Sequence, residues 1–263
     1  AEHKFTDKLS MTYGLRYRNF LRLGKELRNT YADNRPVVFN EQFQIYEEAT
    51  PTGTIQYDSN EKIASFDNLE PRLGISYALD DNQSVKASYN RMSQYMLLIS
   101  NTASATPLDI WAPSDQYLKP EILDQVATGY FRNFKDDNYS LETEIFYKTI
   151  KNKADYIDGA NLIGHRAIER VMLNGEGRAY GLELMVKKNT GLLTGWLSYT
   201  LSRAEQRTPG GIAGGPGINN GDWYRANYDK THNFSVTGAY EFSKKWSFGG
   251  IFTCLLYTSP SPR

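Results

Sequence analysis

Cysteine is nearly missing from this sequence. Its 263 residues include one, Cys254, close to the end. Without residues 254–263, which are treated separately below, none remains, and disulfides, thiolate metal sites and a cysteine nucleophile are excluded. A charge of one sign is also lacking: 30 basic residues face 30 acidic ones, for a formal net charge of zero. That balance removes the basic surface a nucleic acid would need, so no nucleic-acid partner is expected. No run of about 18 apolar residues occurs, so no helix of this chain is read as crossing a membrane. The histidines His3, His165 and His232 are too scattered for metal-ligand spacing, and neither a metal nor a cofactor is expected.

What is present is a period of two. Leu9 to Phe20, Arg72 to Leu79, Ser84 to Asn90, Ser140 to Lys148, Tyr180 to Lys187, Gly195 to Arg203, Asn233 to Phe242 and Trp246 to Phe252 all alternate apolar or aromatic residues with polar or small ones. Successive side chains of a strand point to opposite faces, so each stretch predicts a two-sided strand. Leu9, Met11, Tyr13, Leu15 and Tyr17 share one face, for example, while Ser10, Thr12, Gly14, Arg16 and Arg18 share the other. Phe146 and Trp196 are exceptions on polar faces, and Val126 to Asn133 is a further strand with a less regular pattern.

A soluble β-sandwich would alternate in the same way. The connections favour another architecture. Asp80-Asp81-Asn82, Lys135 to Asn138, Asn189 to Gly191 and Ser243 to Lys245 are tight polar turns, whereas Leu21 to Asn68, Met92 to Leu123, Asn152 to Gly175 and Glu205 to Lys230 are long. Alternation of short turns with long loops is the pattern of an outer-membrane barrel, whose long loops are extracellular. A mean hydropathy of −0.57 suits it, because half of each strand is polar. Aromatic residues make up 13% of the chain, and Tyr240, Trp246 and Trp196 beside the tight turns fit an interfacial girdle as well as ordinary strand propensity. The fold class is therefore all-β: an antiparallel transmembrane barrel segment of roughly ten strands.

In such a barrel Arg16, Arg72, Lys86, Glu142, Glu144, Lys148, Glu183 and Lys187 should face the lumen, to contact a plug or ligand or simply to keep that surface polar. Ligand candidates are the long-loop aromatics Trp111, Tyr117, Trp223 and Tyr224, flanked by Asp109, Asp115, Asp222 and Arg225; loop packing explains the same residues. A barrel hydrolase would need a nucleophile or paired acids beside a histidine, and Asp229 with His232 supplies two members without a third, so no enzyme is expected. Gly175 to Gly181 lacks phosphate-loop spacing and opens a strand instead of a helix.

No signal peptide opens the sequence. Residues 254–263 resemble a translated sequencing adapter, expected to break the last strand after Phe252, which divides the chain into barrel residues 1–253 and a non-native tail 254–263.

The motifs, in their order along the chain, resemble one family, the TonB-dependent outer-membrane receptors. Glu70-Pro71-Arg72-Leu73-Gly74 with Lys86-Ala87-Ser88-Tyr89-Asn90-Arg91, Lys119-Pro120-Glu121, Gly129 to Asn133 and Phe146-Tyr147-Lys148 carry the likeness. Gly177 to Glu183, Leu193 to Thr200 and Asp229 to Asn233 continue it. The resemblance implies a 22-stranded barrel plugged by an N-terminal domain. It further implies outer-membrane lipid around the wall and import of a small-molecule, glycan or peptide ligand, such as a siderophore, cobalamin, oligosaccharide or peptide. Energy would come from the TonB–ExbB–ExbD complex acting on the plug. Against that pattern the sequence omits the signal peptide, TonB box, plug and closing strands. A passive porin-type channel is the alternative, then a barrel hydrolase.

With two unpaired sheet edges, this 263-residue stretch refolded alone into detergent is expected to show no heat-modifiable gel migration. A compact form that converts on boiling would contradict that.

Overall fold

The computed structural model describes residues 1–99, 110–162 and 165–256; Asp109 and residues 257–263 lie outside the described residues. The strands, in chain order, are β1 Glu2–Lys4, β2 Leu9–Leu23, β3 Glu26–Thr30, β4 Val37–Asn40, β5 Ile45–Glu48, β6 Gly53–Tyr57, β7 Lys62–Asp80, β8 Gln83–Gln94 and β9 Met96–Ile99. They continue as β10 Ile110–Pro113, β11 Glu121–Phe134, β12 Tyr139–Tyr156, β13 Met172–Lys188, β14 Leu193–Arg207, β15 Tyr224–Arg225, β16 His232–Ser243 and β17 Trp246–Leu256. Among the described residues there is no α-helix.

One antiparallel sheet runs β1-β2-β7-β8-β11-β12-β13-β14-β16-β17, with β15 added beside β14. Each wall strand pairs with the next wall strand along the chain. The pairs β3–β6, β4–β5 and β9–β10 are small hairpins built inside the long connections. No second sheet covers this one among the described residues, which removes the β-sandwich reading.

The tight turns follow from their residues. Asp80 Oδ1 accepts the Asn82 N–H at 2.8 Å, and Asn133 Nδ2 donates to Asp137 Oδ1 at 2.6 Å. Between β11 and β12, Lys135, Asp136 and Asp137 all take positive φ (48°, 52° and 64°), a conformation that Asp and Asn tolerate better than most residues.

Register aligns the two faces across the whole wall. Met11 pairs with Ile75, Ile75 with Ala87, Thr128 with Ile145, Ile145 with Leu182 and Leu182 with Leu201, so the apolar sides form one continuous surface. That surface is open: Leu15 is 69% exposed, Ile145 58% and Ile251 77%. Arg16, Arg72, Lys86, Glu142, Glu144, Lys148, Glu183 and Lys187 all fall on the opposite face by the same register. On it Glu144 and Glu183 are direct cross-strand partners, a like-charge pairing that costs stability.

Phe146, the apolar exception on the polar face, has a local reason. It is flanked across the sheet by Ala127 and Gly181 and is 8% exposed. A Cβ on Gly181 would stand 3.0 Å from the Phe146 ring and 2.6 Å from the Leu201 carbonyl oxygen. The ring covers backbone that only glycine leaves bare.

The strands outrun their alternation. β12 continues to Tyr156 instead of ending near Lys148, β13 begins at Met172 instead of Tyr180, β7 begins at Lys62 instead of Arg72, and β14 continues to Arg207. The ladder is made by the backbone and persists once side chains stop alternating; periodicity marks only the segment whose one side must be apolar. β17 likewise does not break after Phe252: Thr253 to Leu256 stay paired with β16, because the prolines come later. Between Lys151 and Lys153 the register shifts at Asn152, a bulge residue with φ 57° whose side chain donates to Pro120 O at 2.8 Å.

In the complete barrel, Gly181→Ala is expected to cost about 1–3 kcal/mol through overpacking. Gly14→Ala, on the same face with nothing within 4 Å of its added Cβ, should be neutral. The temperature at which the folded gel form converts to the unfolded one measures both; equal behaviour would refute the packing account.

Candidate functional site

The long connections 24–61, 95–120, 157–171 and 208–231 all lie at one end of the sheet. Their apolar residues have nothing in the wall to pack on, so they pack on one another. Val37 from the first connection, Leu97, Ile99, Ala112 and Leu118 from the second, Ile157, Leu162 and Val171 from the third, and Ala213 and Ile218 from the fourth form one buried cluster with Met172 and Leu173. Each fully buried side chain of this size is worth about 1.5–3 kcal/mol relative to exposure. The result is a cap with a core, set on a wall without one.

Buried carboxylates fasten the cap. Asp115 Oδ1 accepts the backbone N–H groups of Tyr117 and Leu118 at 2.8 and 2.9 Å, while its Oδ2 receives Arg22 and Arg28, each at 2.6 Å. This one side chain shapes the second connection and joins it to β2 and β3. Burial alone would lower the Arg28 pKa, but the charges of Asp115, Glu26 and Glu169 outweigh it and hold the guanidinium above its ordinary value. Tyr31 donates to Glu169 Oε1 at 2.8 Å and sets its ring edge-on to Tyr117, with centroids 5.7 Å apart. Burial and then Glu169 push the Tyr31 phenol well above the usual tyrosine range.

Asp155 does the same work at the root of the fourth connection. It accepts from Thr208 Oγ1 at 2.7 Å, from Gln206 Nε2 at 3.4 Å and from the Tyr224 phenol. Burial, then the Asp155 charge and hydrogen bond, push the Tyr224 phenol up to about 12. Tyr46 ties the first connection to the fourth, donating to Gly214 O at 3.0 Å and accepting the Gly217 N–H at 2.7 Å.

Between these ties lies a cavity of about 190 Å³ to which all four connections contribute, among them Val37, Tyr117, Glu169, Asn174 and Gly210. Asn174 donates from Nδ2 to Tyr117 O at 2.9 Å, and its Oδ1 is buried without a partner. A group entering the cavity would find an unused acceptor, the Glu169 carboxylate and the Lys119 ammonium on its lining. Among the described residues no cluster of His, Cys, Asp or Glu has the geometry of a metal site.

The four aromatic candidates do not form one platform. Tyr117 is buried in the cavity wall, Tyr224 belongs to the Asp155 network, and Trp111 stands 59% exposed on β10. Trp223 carries the guanidinium groups of Arg178 and Arg207 over its ring, at 4.2 and 5.0 Å. Asp115, expected beside the ligand aromatics, instead ties the second connection to β2 and β3. Asn174 and Asp155 have no signal in the sequence, since each is one polar residue marked only by its contacts. Asp229 accepts the Ala204 N–H at 2.7 Å and faces Arg225, while His232 pairs with the Tyr199 hydroxyl at 2.8 Å. Both have structural partners of their own.

Residues 1–261 match the family described as TonB dependent receptor-like, beta-barrel. No curated protein matches the chain. Among solved structures, the chain is similar to the ferric-catecholate import receptor Fiu of Escherichia coli K12, with TM-score 0.57, 17% identity, and coverage of 94% of this chain and 32% of that one. It is similar to the alcaligin outer-membrane receptor FauA of Bordetella pertussis, with TM-score 0.54, 12% identity, and coverage of 97% and 36%. The ferripyoverdine receptor of Pseudomonas aeruginosa gives TM-score 0.54, 15% identity, and coverage of 95% and 26%. At these identities the likeness is one of fold, and the chain spans about a third of each receptor's length or less.

The Tyr224 phenol supplies a pH test. Because its folded pKa lies above that of an exposed tyrosine, its contribution to the cap is complete below about pH 10 and is lost as pH rises through about 12. Tyrosinate absorbance of the folded receptor is expected to contain a component titrating near 12 that Tyr224→Phe removes. A titration unchanged by that substitution would contradict the burial.

Proposed function

The chain belongs to the TonB-dependent receptor β-barrel family, a family of transport receptors of the Gram-negative outer membrane, and on that footing we propose that it supplies part of the wall and the ligand-capturing cap of an active importer. The observation that carries the reading is the cap itself. Four long connections, useless to a wall that needs only turns, fuse into one packed body around a cavity. Loops held rigidly on a scaffold are where binding specificity resides.

In this reading the open apolar face meets lipid and the polar face, with Arg16, Arg72, Lys86, Glu142, Glu144, Lys148, Glu183 and Lys187, lines the lumen. The adjacent Glu144 and Glu183 there suit a basic counterpart such as a plug side chain. Tyr117, through the cavity wall, and Trp111, through its exposed ring, are the aromatics best placed to meet a ligand. The similar structures include receptors for a ferric catecholate and for ferripyoverdine, which makes a ferric chelate the first ligand class to offer. Import is driven by TonB acting on the plug of the whole receptor.

The test is uptake of radioiron-labelled ferric catecholate and hydroxamate chelates by cells carrying the complete receptor gene, with and without functional TonB. Saturable uptake that disappears without TonB is expected. Uptake of similar size in both backgrounds would assign the barrel to passive channels instead.

A further inference from the structure

The apolar face changes character toward the cap. On β12, β13 and β14 its last aromatic row is Tyr147 and Tyr180, with Arg203 directly alongside. Two residues further along comes Arg178 opposite Glu205, and two beyond that the row Lys151, Glu176 and Arg207. At about 3.3 Å per residue these rows stand roughly 7 and 13 Å past the tyrosines. From Tyr139 to Tyr147 the same face of β12 covers about 26 Å before tilt, close to the height of an apolar barrel band. The charges therefore begin where the hydrocarbon ends.

Their balance is positive. On these three strands Arg178, Arg203, Arg207 and Lys151 meet Glu176 and Glu205, and the row continues on β11 and β8 with the ion-paired Asp124 and Arg91, which leaves the balance unchanged. Glu205 is 6% exposed and already receives Arg178 at 2.7 Å and Arg203 at 2.6 Å; Glu176 receives Arg207 at 2.8 Å. The two carboxylates fix the guanidinium groups in place, and the patch keeps a formal surplus of two positive charges. The Arg178 and Arg207 guanidinium groups both stack over the Trp223 ring, 4.2 and 5.0 Å from its centroid. Each guanidinium gives its Nε and Nη2 to a carboxylate, Arg178 to Glu205 and Arg207 to Glu176, so the Nη1 end of each is what remains to meet a phosphate oxygen. Tryptophan itself prefers the headgroup level of a membrane. A ligand imported through the lumen does not meet this surface, since it lies on the face opposite Glu144 and Glu183.

We propose that Arg178, Arg207 and Lys151, arranged around Trp223, form a binding site on the outside of the wall for the phosphorylated headgroup of a lipid in the outer leaflet. The proposal rests on the reading that the apolar face meets lipid and that the cap is extracellular. The site would anchor the third and fourth connections at the membrane surface, beneath the cap and beside the Asp155 network.

The test uses the complete receptor extracted from outer membranes and native mass spectrometry to count retained phosphorylated lipid. The wild type is expected to keep at least one such lipid. Lys151→Ala, which breaks none of the ion pairs above, and the double variant Arg178→Ala/Arg207→Ala should both lower its occupancy, the double variant by about tenfold. Exchange into vesicles of the same lipid with its phosphates removed should abolish retention by the wild type. Undiminished retention in both variants overturns the proposal, as does equal retention of the dephosphorylated lipid. Release of the lipid by inorganic phosphate alone, with stable binding of that phosphate, would reassign the patch to a free-anion site. Membrane fractionation of the same cells separates the two levels: a receptor absent from the outer membrane defeats the functional reading. One correctly inserted but indifferent to these substitutions defeats only the lipid site.

Discussion

The structure depends on one constraint: a backbone crossing hydrocarbon has no water to satisfy its N–H and C=O groups, so each must find a partner in the neighbouring strand. The ladder from β1 to β17 meets that demand strand by strand, antiparallel throughout, with interruptions only at bulges such as Asn152. Pairing of consecutive strands demands short returns at one end. It leaves the other end free, so all four long connections accumulate there. Wall and cap are two consequences of the same meander.

The two parts are then stabilised by different physics. The wall has no interior of its own: Ile145 and Leu15 are open on one side and charged residues on the other, and within the sheet the side-chain packing is local, as where Phe146 covers Gly181. The cap is built like a small soluble domain, with Val37, Ile99 and Val171 at 2%, 1% and 1% exposure. Such a core assembled from separate loops needs directional ties, and Asp115 and Asp155 provide them by collecting donors from distant segments. Removing one partner from such a buried charge is costlier than the net worth of the pair, which makes these carboxylates the cap's points of failure.

Function follows from the division. In the proposed reading, a cavity bounded by four connections can change its lining without disturbing the ladder, which would let specificity and scaffold vary separately. The open apolar face ends in a charged band, where Arg178 and Arg207 stack over Trp223.

The wall strands, their two faces, the turn chemistry and the alternation of connection lengths were legible from the residues, because a strand with one apolar face imposes a strict period of two on its neighbours. Leu9 to Tyr17 shows its orientation without reference to any other part of the chain. Tertiary structure alone decided how far the strands extend, why Phe146 faces the polar side, and how Trp111, Tyr117, Trp223 and Tyr224 are distributed among solvent, cavity, guanidinium stack and carboxylate network. It alone brought Asn174 and Asp155 into prominence and gave Asp115 its role as a tie. Those outcomes depend on contacts between residues tens to more than a hundred positions apart, such as Tyr31 with Glu169, and no local period records them.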